Sequence, residues 1–378
     1  MANQTIFIIA GEVSGDRYGA FLIRSLKAKE PSLDIVGLGG PEMQLAGCTL
    51  LHNMMSLAVV GIVEVLQHYS VFKRIMKETV AWIQNNHPDV VVFIDYPGFN
   101  LRLAKEIYPF NIPLVYYISP QLWAWHKKRV TLMKKWMTSI LVIFPFEKDF
   151  YCKEGYPEAI FVGHPLLDQD KFQKLEEKTF ADKKGIIGLL PGSRVKEIQQ
   201  NLPVMLEAFQ LCRPIYTGVI ATANEQCRRE IKRILQEKAL SISLNEDSYA
   251  VMQMSDAVWV ASGTATVECA CVGVPMIIVY RVSWVTWMIA RFLVKIKHIG
   301  MVNILAAKEI VPEYIQKDAK PKELAQELMA IVKDEQRYET MVRDLKEVRL
   351  SLGSGGASDN AAEAVLEAMT VRRKEHFG

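Results

Sequence analysis

Residues 186–197 read IIGLLPGSRVKE, an apolar run that ends abruptly at Pro-Gly-Ser-Arg and resumes as a polar, helix-compatible segment. The run predicts a buried strand, Gly192 a tight turn, and Ser193 the cap of the helix that follows. The first N–H groups of that helix have no partner within it, so they face whatever lies beyond the strand's carboxyl end, where an anion is favoured. Arg194 adds a planar fork of donors suited to phosphate oxygens. Residues 5–16, TIFIIAGEVSGD, repeat the pattern near the start of the chain: an apolar strand running into a glycine turn. Two strand–turn–helix starts so far apart predict two nucleotide-style α/β halves with a cleft between them. Each turn taken alone is also ordinary punctuation between a strand and a helix.

The chain has 378 residues, half of them hydrophobic, which is enough for two cores and makes two domains the expectation. A net charge of +3 is too small to imply nucleic acid, so any basic function must come from local clustering. The six cysteines form no CxxC pair and show no zinc spacing, and Cys269 and Cys271 sit among small residues in an expected buried helix. This is the pattern of a reduced, cytosolic chain. No signal peptide is visible, because the apolar run 6–10 is too short and lacks a basic start. Glu64 interrupts the apolar stretch at 54–66, and Arg281 and Arg291 interrupt that at 274–294, so neither reaches the length of a membrane span. The expectation is a soluble protein or one that lies on a membrane.

Strands are expected at 5–10, 35–38, 90–94, 114–118, 140–144 and 160–162 in the first half. In the second they are expected at 186–190, 216–221, 242–244, 257–260 and 276–279. Alternation with helical stretches predicts parallel sheets wrapped by helices, with ligands outside the strands' carboxyl ends. The charged segment 168–184, DQDKFQKLEEKTFADKK, is read as a linker between domains at 1–167 and 185–352. Helices are expected at 320–332, 334–350 and 359–369, the last capped by Ser358. The tail 353–378 is free to pack back on the N-terminal half.

Four segments could carry chemistry. Asp95 follows the run 90–94 in VVVFIDYPGFN, at a strand's carboxyl end, where a carboxylate serves either as general base for a hydroxyl or as a turn cap. In SGTATVE, residues 262–268, small residues open a helix where backbone N–H groups can hold a diphosphate and Glu268 can accept from a ribose; a capped core helix fits equally. ISPQLWAWHKKR, residues 118–129, with Lys134 and Lys135 places aromatics beside a basic cluster, which suits an anionic membrane or a phosphorylated ligand and also a solvated helix. WVTWMIARFLVKIK, residues 284–297, is a second such stretch, interfacial or half-buried. The D-x-D at Asp168 and Asp170 follows no strand and is not read as a metal site. No P-loop is present, and the spacing of Gly11, Gly15 and Gly19 misses the dinucleotide fingerprint.

Several of these segments resemble one family. AGEVSGDRYGAFLI (10–23), GLGGPEMQLAGC (37–48), VGIVEVL (60–66), IDYPGFN (94–100), SPQLWAW (119–125), LPGSR (190–194) and SGTATVE (262–268) occur in the order found in lipid-A-disaccharide synthases. The resemblance implies an inverting, metal-independent glycosyltransferase of the GT-B type, with two Rossmann-like domains whose parallel sheets face across a cleft. It implies transfer of 2,3-diacylglucosamine from UDP to the 6-hydroxyl of 2,3-diacylglucosamine 1-phosphate (lipid X), with no cofactor and no nucleic acid.

Carried over to this chain, Asp95 is the base, and Gly192, Ser193, Arg194, Ser262, Gly263, Thr264, Ala265, Thr266, Glu268 and Asn303 form the UDP-sugar site. Glu12, Ser14, Gly15, Asp16, Gln121 and Trp123 are acceptor-side candidates. Acylated substrates imply attachment to the cytoplasmic face of the inner membrane, with Val59, Val60, Ile62, Val63, Leu66, Arg129, Lys134 and Lys135 as the docking residues. Oligomeric state stays open. Two departures stand out: Gly98 replaces an acidic residue common in the family, and Met301-Val302 replaces Leu-Pro. Another UDP-sugar enzyme of this fold, such as an epimerase, and a non-catalytic UDP-sugar or lipid binder are the alternatives.

Overall fold

A computed structural model describes residues 4–55, 62–125, 128–173, 178–282 and 298–370. These fall into two units: residues 1–168 with 352–378, and residues 169–351. In chain order the first runs β1 (Thr5–Ala10), α1 (Val13–Lys29), β2 (Asp34–Gly39), α2 (Pro41–Leu45), β3 (Thr49–Asn53) and α3 (Ile62–Asn86). It continues through β4 (Val90–Ile94), α4 (Pro97–Ile107), β5 (Leu114–Tyr117), α5 (Leu122–Trp125), α6 (Lys128–Trp136), β6 (Ser139–Val142), α7 (Pro145–Lys153) and β7 (Ile160–Phe161). The second comprises α8 (Asp170–Gln173), β8 (Ile186–Leu190), α9 (Val195–Cys212), β9 (Thr217–Ala221), α10 (Glu225–Glu237), β10 (Ser243–Asn245) and α11 (Ser248–Met254). Then follow β11 (Ala257–Ala261), α12 (Thr264–Val272), β12 (Met276–Tyr280), α13 (Met301–Ala306), β13 (Glu313–Ile315), α14 (Pro321–Lys333) and α15 (Glu335–Ser351). The chain then returns to the first unit as α16 (Ala357–Thr370).

Each unit is built on one parallel sheet, ordered β3-β2-β1-β4-β5-β6-β7 in the first and β10-β9-β8-β11-β12-β13 in the second. The central strands are continuous apolar runs because both faces are covered: Ile6 to Ala10, Val90 to Ile94 and Val258 to Val260 are fully buried. Strand order reverses between β1 and β4 and again between β8 and β11. At such switch points the connections leave in opposite directions, and the carboxyl ends open a crevice. The sequence expected eleven strands, and each has a counterpart here. It missed β3 and β13, edge strands whose residues are mostly half-buried and so carry no apolar run.

The described parts of the charged segment read as a linker, 168–173 and 178–184, are packed. Phe172 is buried with its ring edge-on to Tyr249 (5.3 Å), Phe180 meets Tyr338 (5.8 Å), and Lys178 donates to the carbonyls of Gln253 and Ser255 at 2.7 Å each. Ser358 does not cap the last helix. Asp168 does, accepting from the backbone N–H of Ala357 (3.0 Å) and of Ser358 (2.7 Å) and from the Ser358 hydroxyl (2.6 Å). That occupies the first carboxylate of the D-x-D. Among the described residues no group of three His, Cys, Asp or Glu is placed to hold a metal ion.

Candidate active site

In the first unit the candidates gather at one end of the sheet, because β1, β4 and β5 are neighbours that finish together. Asp95 leaves β4 in the left-handed region (φ +46°) and Tyr96 follows in the same region (φ +48°). Neither is glycine, and each such residue costs on the order of 1 kcal/mol or more, so surrounding bonds must hold the turn. They do. The Asp95 amide donates to the Tyr117 carbonyl (3.1 Å), while its carbonyl accepts from Asn100 Nδ2 (2.7 Å) and the Tyr116 hydroxyl (2.6 Å). The Tyr96 ring lies where a Cβ on Gly11 would be, 2.1 Å from its Cδ1, so the turns after β1 and β4 lock together.

With its backbone fixed, Asp95 presents a carboxylate whose pKa is pushed up to about 6. Burial is the main cause and the charge of Glu12 the second, offset in part by a bond from the Tyr96 backbone. Glu12 and Ser14 are half-buried at the start of α1, and Gly15 is buried there. Asp16 points elsewhere: fully buried, it accepts from the N–H groups of Gly40 (2.7 Å), Glu42 (3.0 Å) and Met43 (3.1 Å) and caps α2. In this structure its carboxylate serves the turn before α2.

Gln121 is exposed, and Trp123 is half-buried with its indole N–H bound to Glu147 (3.3 Å). Glu147 is a carboxylate that sequence reading passed over. It is buried, accepts from Ser119, Trp123 and the Phe144 backbone, and is pushed up to about 7 by burial. A Glu three residues past an apolar strand, with Pro145 opening the helix, is the pattern that could have found it.

The second unit repeats the arrangement at β8 and β11, which are adjacent. Gly192 (φ +125°) is required, since a Cβ there would fall 2.6 Å from Glu197 Cβ. Ser193 does not cap α9. Glu197 reaches back instead, accepting from the N–H of Ser193 (2.9 Å) and of Arg194 (3.3 Å) and from the Arg194 guanidinium (3.2 Å). The amides expected to face an anion unpartnered therefore already bind a carboxylate. Arg194 remains 70% exposed, so its head can also reach a ligand.

After β11, Gly263 adopts φ +149°, a region open to glycine, and precedes α12. Ser262 and Ala265 are half-buried and Thr264 exposed. Thr266 is buried, its hydroxyl bound to the Gly263 carbonyl (2.8 Å), so it shapes the turn and offers no side-chain donor. Glu268 is half-buried one turn on.

Asn303 is buried, and both ends of its amide are in use. Nδ2 donates to Val311 O (2.8 Å) and Glu313 Oε1 (2.7 Å); Oδ1 accepts from the N–H of Ile310 (2.8 Å) and Val311 (3.0 Å). These bonds anchor the segment 303–313. The Met301-Val302 departure is absorbed at the start of α13, where Val302 is buried. Gly98 has open space around it, so nothing there demands an acidic side chain.

Of the membrane candidates, Lys134 and Lys135 are exposed, and Lys134 also donates to the Glu154 carbonyl (3.3 Å). Val59 and Val60 lie outside the described residues, as do the side chains of Ile62, Val63, Leu66 and Arg129 and the whole of 284–297. Among the described residues no helix is long and apolar enough to cross a membrane.

The sequence model of a family described as lipid-A-disaccharide synthetase matches residues 6–368. The lipid-A-disaccharide synthase of Trichlorobacter lovleyi is 39% identical over 373 residues, covering 96% of this chain and 97% of that protein. That of Geobacter metallireducens is 38% identical over 380 residues, covering 98% and 99%. Among solved structures, a putative UDP-N-acetylglucosamine 2-epimerase from Listeria monocytogenes superposes with a TM-score of 0.65 at 14% identity, covering 99% of each chain. The calicheamicin glycosyltransferase CalG4 does so with a TM-score of 0.60 at 15% identity, covering 98% of this chain and all of that one (100%). Those two likenesses concern the fold alone.

Proposed function

The chain belongs to the lipid-A-disaccharide synthase family, and from that premise we propose how its residues share the work. It is a glycosyltransferase with a GT-B type fold, and it uses a UDP-sugar. The reaction moves 2,3-diacylglucosamine from UDP to the 6-hydroxyl of lipid X, forming a β-1,6 bond and releasing UDP. The incoming hydroxyl must lose its proton as the bond from the anomeric carbon to the diphosphate breaks. Asp95 takes that proton. A base with a pKa near 6 is largely ionised at neutral pH yet basic enough to accept, the balance general-base catalysis needs. The observation that carries this reading is the Asp95–Tyr96 turn, two left-handed residues held at the carboxyl end of β4, at a switch point of the sheet.

The second unit binds the UDP moiety. As charge grows on the leaving diphosphate, the turn amides of 192–194 and 262–265 and the Arg194 guanidinium stabilise it, standing in for a metal ion. The diphosphate takes over from Glu197 as partner of the Ser193 and Arg194 amides and of the Arg194 guanidinium. The first unit receives lipid X along Glu12, Ser14 and Gln121. Docking on the cytoplasmic face of the inner membrane, through Lys134 and Lys135 together with the apolar stretch before and at the start of α3, gives access to acylated substrates; each basic residue adds about 1 kcal/mol near an anionic surface.

The deciding experiment is product formation from UDP-2,3-diacylglucosamine and lipid X by the Asp95→Asn enzyme, with kcat and both KM values measured separately. A folded variant that keeps near-normal kcat sinks the assignment. Activity should survive EDTA; loss on chelation with recovery on adding a divalent ion would restore the D-x-D as a metal site.

A further inference from the structure

Glu147 is 1% exposed, and among the described residues none of the partners it binds is a cation. As the third residue of α7 it accepts from the Phe144 N–H through Oε2 (3.2 Å), a helix-capping contact. Capping accounts for that oxygen alone. The other, Oε1, reaches to the segment after β5, where Trp123 Nε1 (3.3 Å) and Ser119 Oγ (3.4 Å) converge on it. A capping glutamate usually stays at the surface, because burying a carboxylate is costly unless its bonds repay it.

The segment it holds has a backbone bond of its own, from the Leu122 N–H to the Pro120 carbonyl (2.6 Å), but its entry is strained. Ile118, the residue that opens it, is β-branched and has φ +60°, a conformation such residues avoid. Leu122, at its far end, is buried, and the Trp123 ring meets Phe146 edge-on at 5.1 Å. Residues 119–123 are thereby tethered from the start of α7. They stand at the end of β5, whose Tyr117 pairs with Ile94, the residue before Asp95.

We propose that Glu147 is a positioning residue for the acceptor: it acts through Trp123 and Ser119 to set the 119–123 segment as a wall of the acceptor's seat beside Asp95. The inference rests on the reading of Asp95 as the acceptor-side base. Glu147 touches no reacting atom, so its loss should be felt in acceptor binding more than in the chemical step.

The test is steady-state kinetics of full-length Glu147→Ala and Glu147→Gln, varying lipid X and the UDP-sugar in turn. In Glu147→Ala the KM for lipid X should rise about tenfold, as expected for the loss of a buried hydrogen-bond anchor, while the KM for the UDP-sugar stays within about twofold. Glu147→Gln, whose amide oxygen still accepts from Trp123, should recover most of that loss. An unchanged lipid X KM in a folded Glu147→Ala protein, or equal changes in both KM values, overturns the proposal. If Glu147→Ala does not fold, Trp123→Phe keeps a ring and deletes the donor, and it must raise the lipid X KM selectively; if it does not, the proposal fails. Asp95→Asn assayed alongside separates the two readings. An active Asp95→Asn removes the acceptor-side assignment itself, whereas an inactive one beside a kinetically normal Glu147→Ala removes the role of Glu147 alone.

Discussion

At the scale of single residues, Asp95 shows function and stability pulling in opposite directions. The folded protein holds its proton up to about pH 6, whereas the unfolded chain releases it near the ordinary value of 3.8. The folded state therefore binds the extra proton between those values. This contribution is full below the unfolded pKa and is lost as pH rises through 6. At pH 7 the ionised carboxylate is a net cost. Each pKa unit corresponds to about 1.4 kcal/mol, and partial exposure trims the total to about 1–2 kcal/mol. Asparagine tolerates the left-handed region and carries no charge. Asp95→Asn should therefore lower kcat by about 100-fold or more while raising Tm by a few degrees at pH 7, as read by calorimetry. An inactive variant with a lowered Tm would mean that the carboxylate holds the fold. In the unmodified enzyme kcat/KM should fall on the acid side with an apparent pKa near 6; a flat profile between pH 5 and 8 would remove Asp95 as the base.

At the scale of elements, the turn between β8 and α9 depends on one glycine and one glutamate. Gly192→Ala puts a methyl group against Glu197 in a backbone conformation that alanine disfavours. It should cost about 1–3 kcal/mol and weaken UDP binding, measured by calorimetric titration. Arg194→Ala should leave Tm unchanged, because an exposed ion pair contributes little. It should weaken UDP by about tenfold or more, since a charge-assisted bond contributes about 1.5–3 kcal/mol. Equal UDP affinity in that variant would move the donor site away from the turn. Asp168→Ala removes the cap of α16 and should lower stability by about 1–2 kcal/mol with no change in metal dependence.

At the scale of the whole molecule, the chain's last helix belongs to its first unit. α16 buries Ala357, Ala361, Ala362 and Val365 completely, and Asn360 Nδ2 bonds the Val162 carbonyl (3.0 Å) while the His164 N–H reaches the Leu352 carbonyl (2.9 Å). Small side chains let this helix lie close to its neighbours, α1 among them. Cutting the chain after Ser351 should destabilise the first unit and spare the second. Thermal unfolding should then show an early transition, with UDP binding retained in the part that melts late. Loss of UDP binding at the early transition would place nucleotide contacts in the first unit.

What the sequence determined by itself was the pair of parallel sheets and the positions where their strands end. Continuous apolar runs and the Gly and Pro residues that stop them are local signals, so Asp95, the PGSR turn and SGTATVE could be set at strand ends without a structure. Edge strands such as Glu313–Ile315, half-buried and short, gave no such signal. Only the tertiary structure decided what each polar side chain does. Asp16 and Asp95 both follow an apolar strand, yet Asp16 meets three backbone N–H groups from 24 or more residues away and becomes a cap. Asp168, a possible metal ligand by pattern, is occupied by Ser358, 190 residues on. Asn303 is saturated by its own segment, and Glu147 finds its partners Ser119 and Trp123 more than twenty residues back along the chain. Burial is announced by neighbours in sequence; hydrogen-bond partners are supplied by neighbours in space.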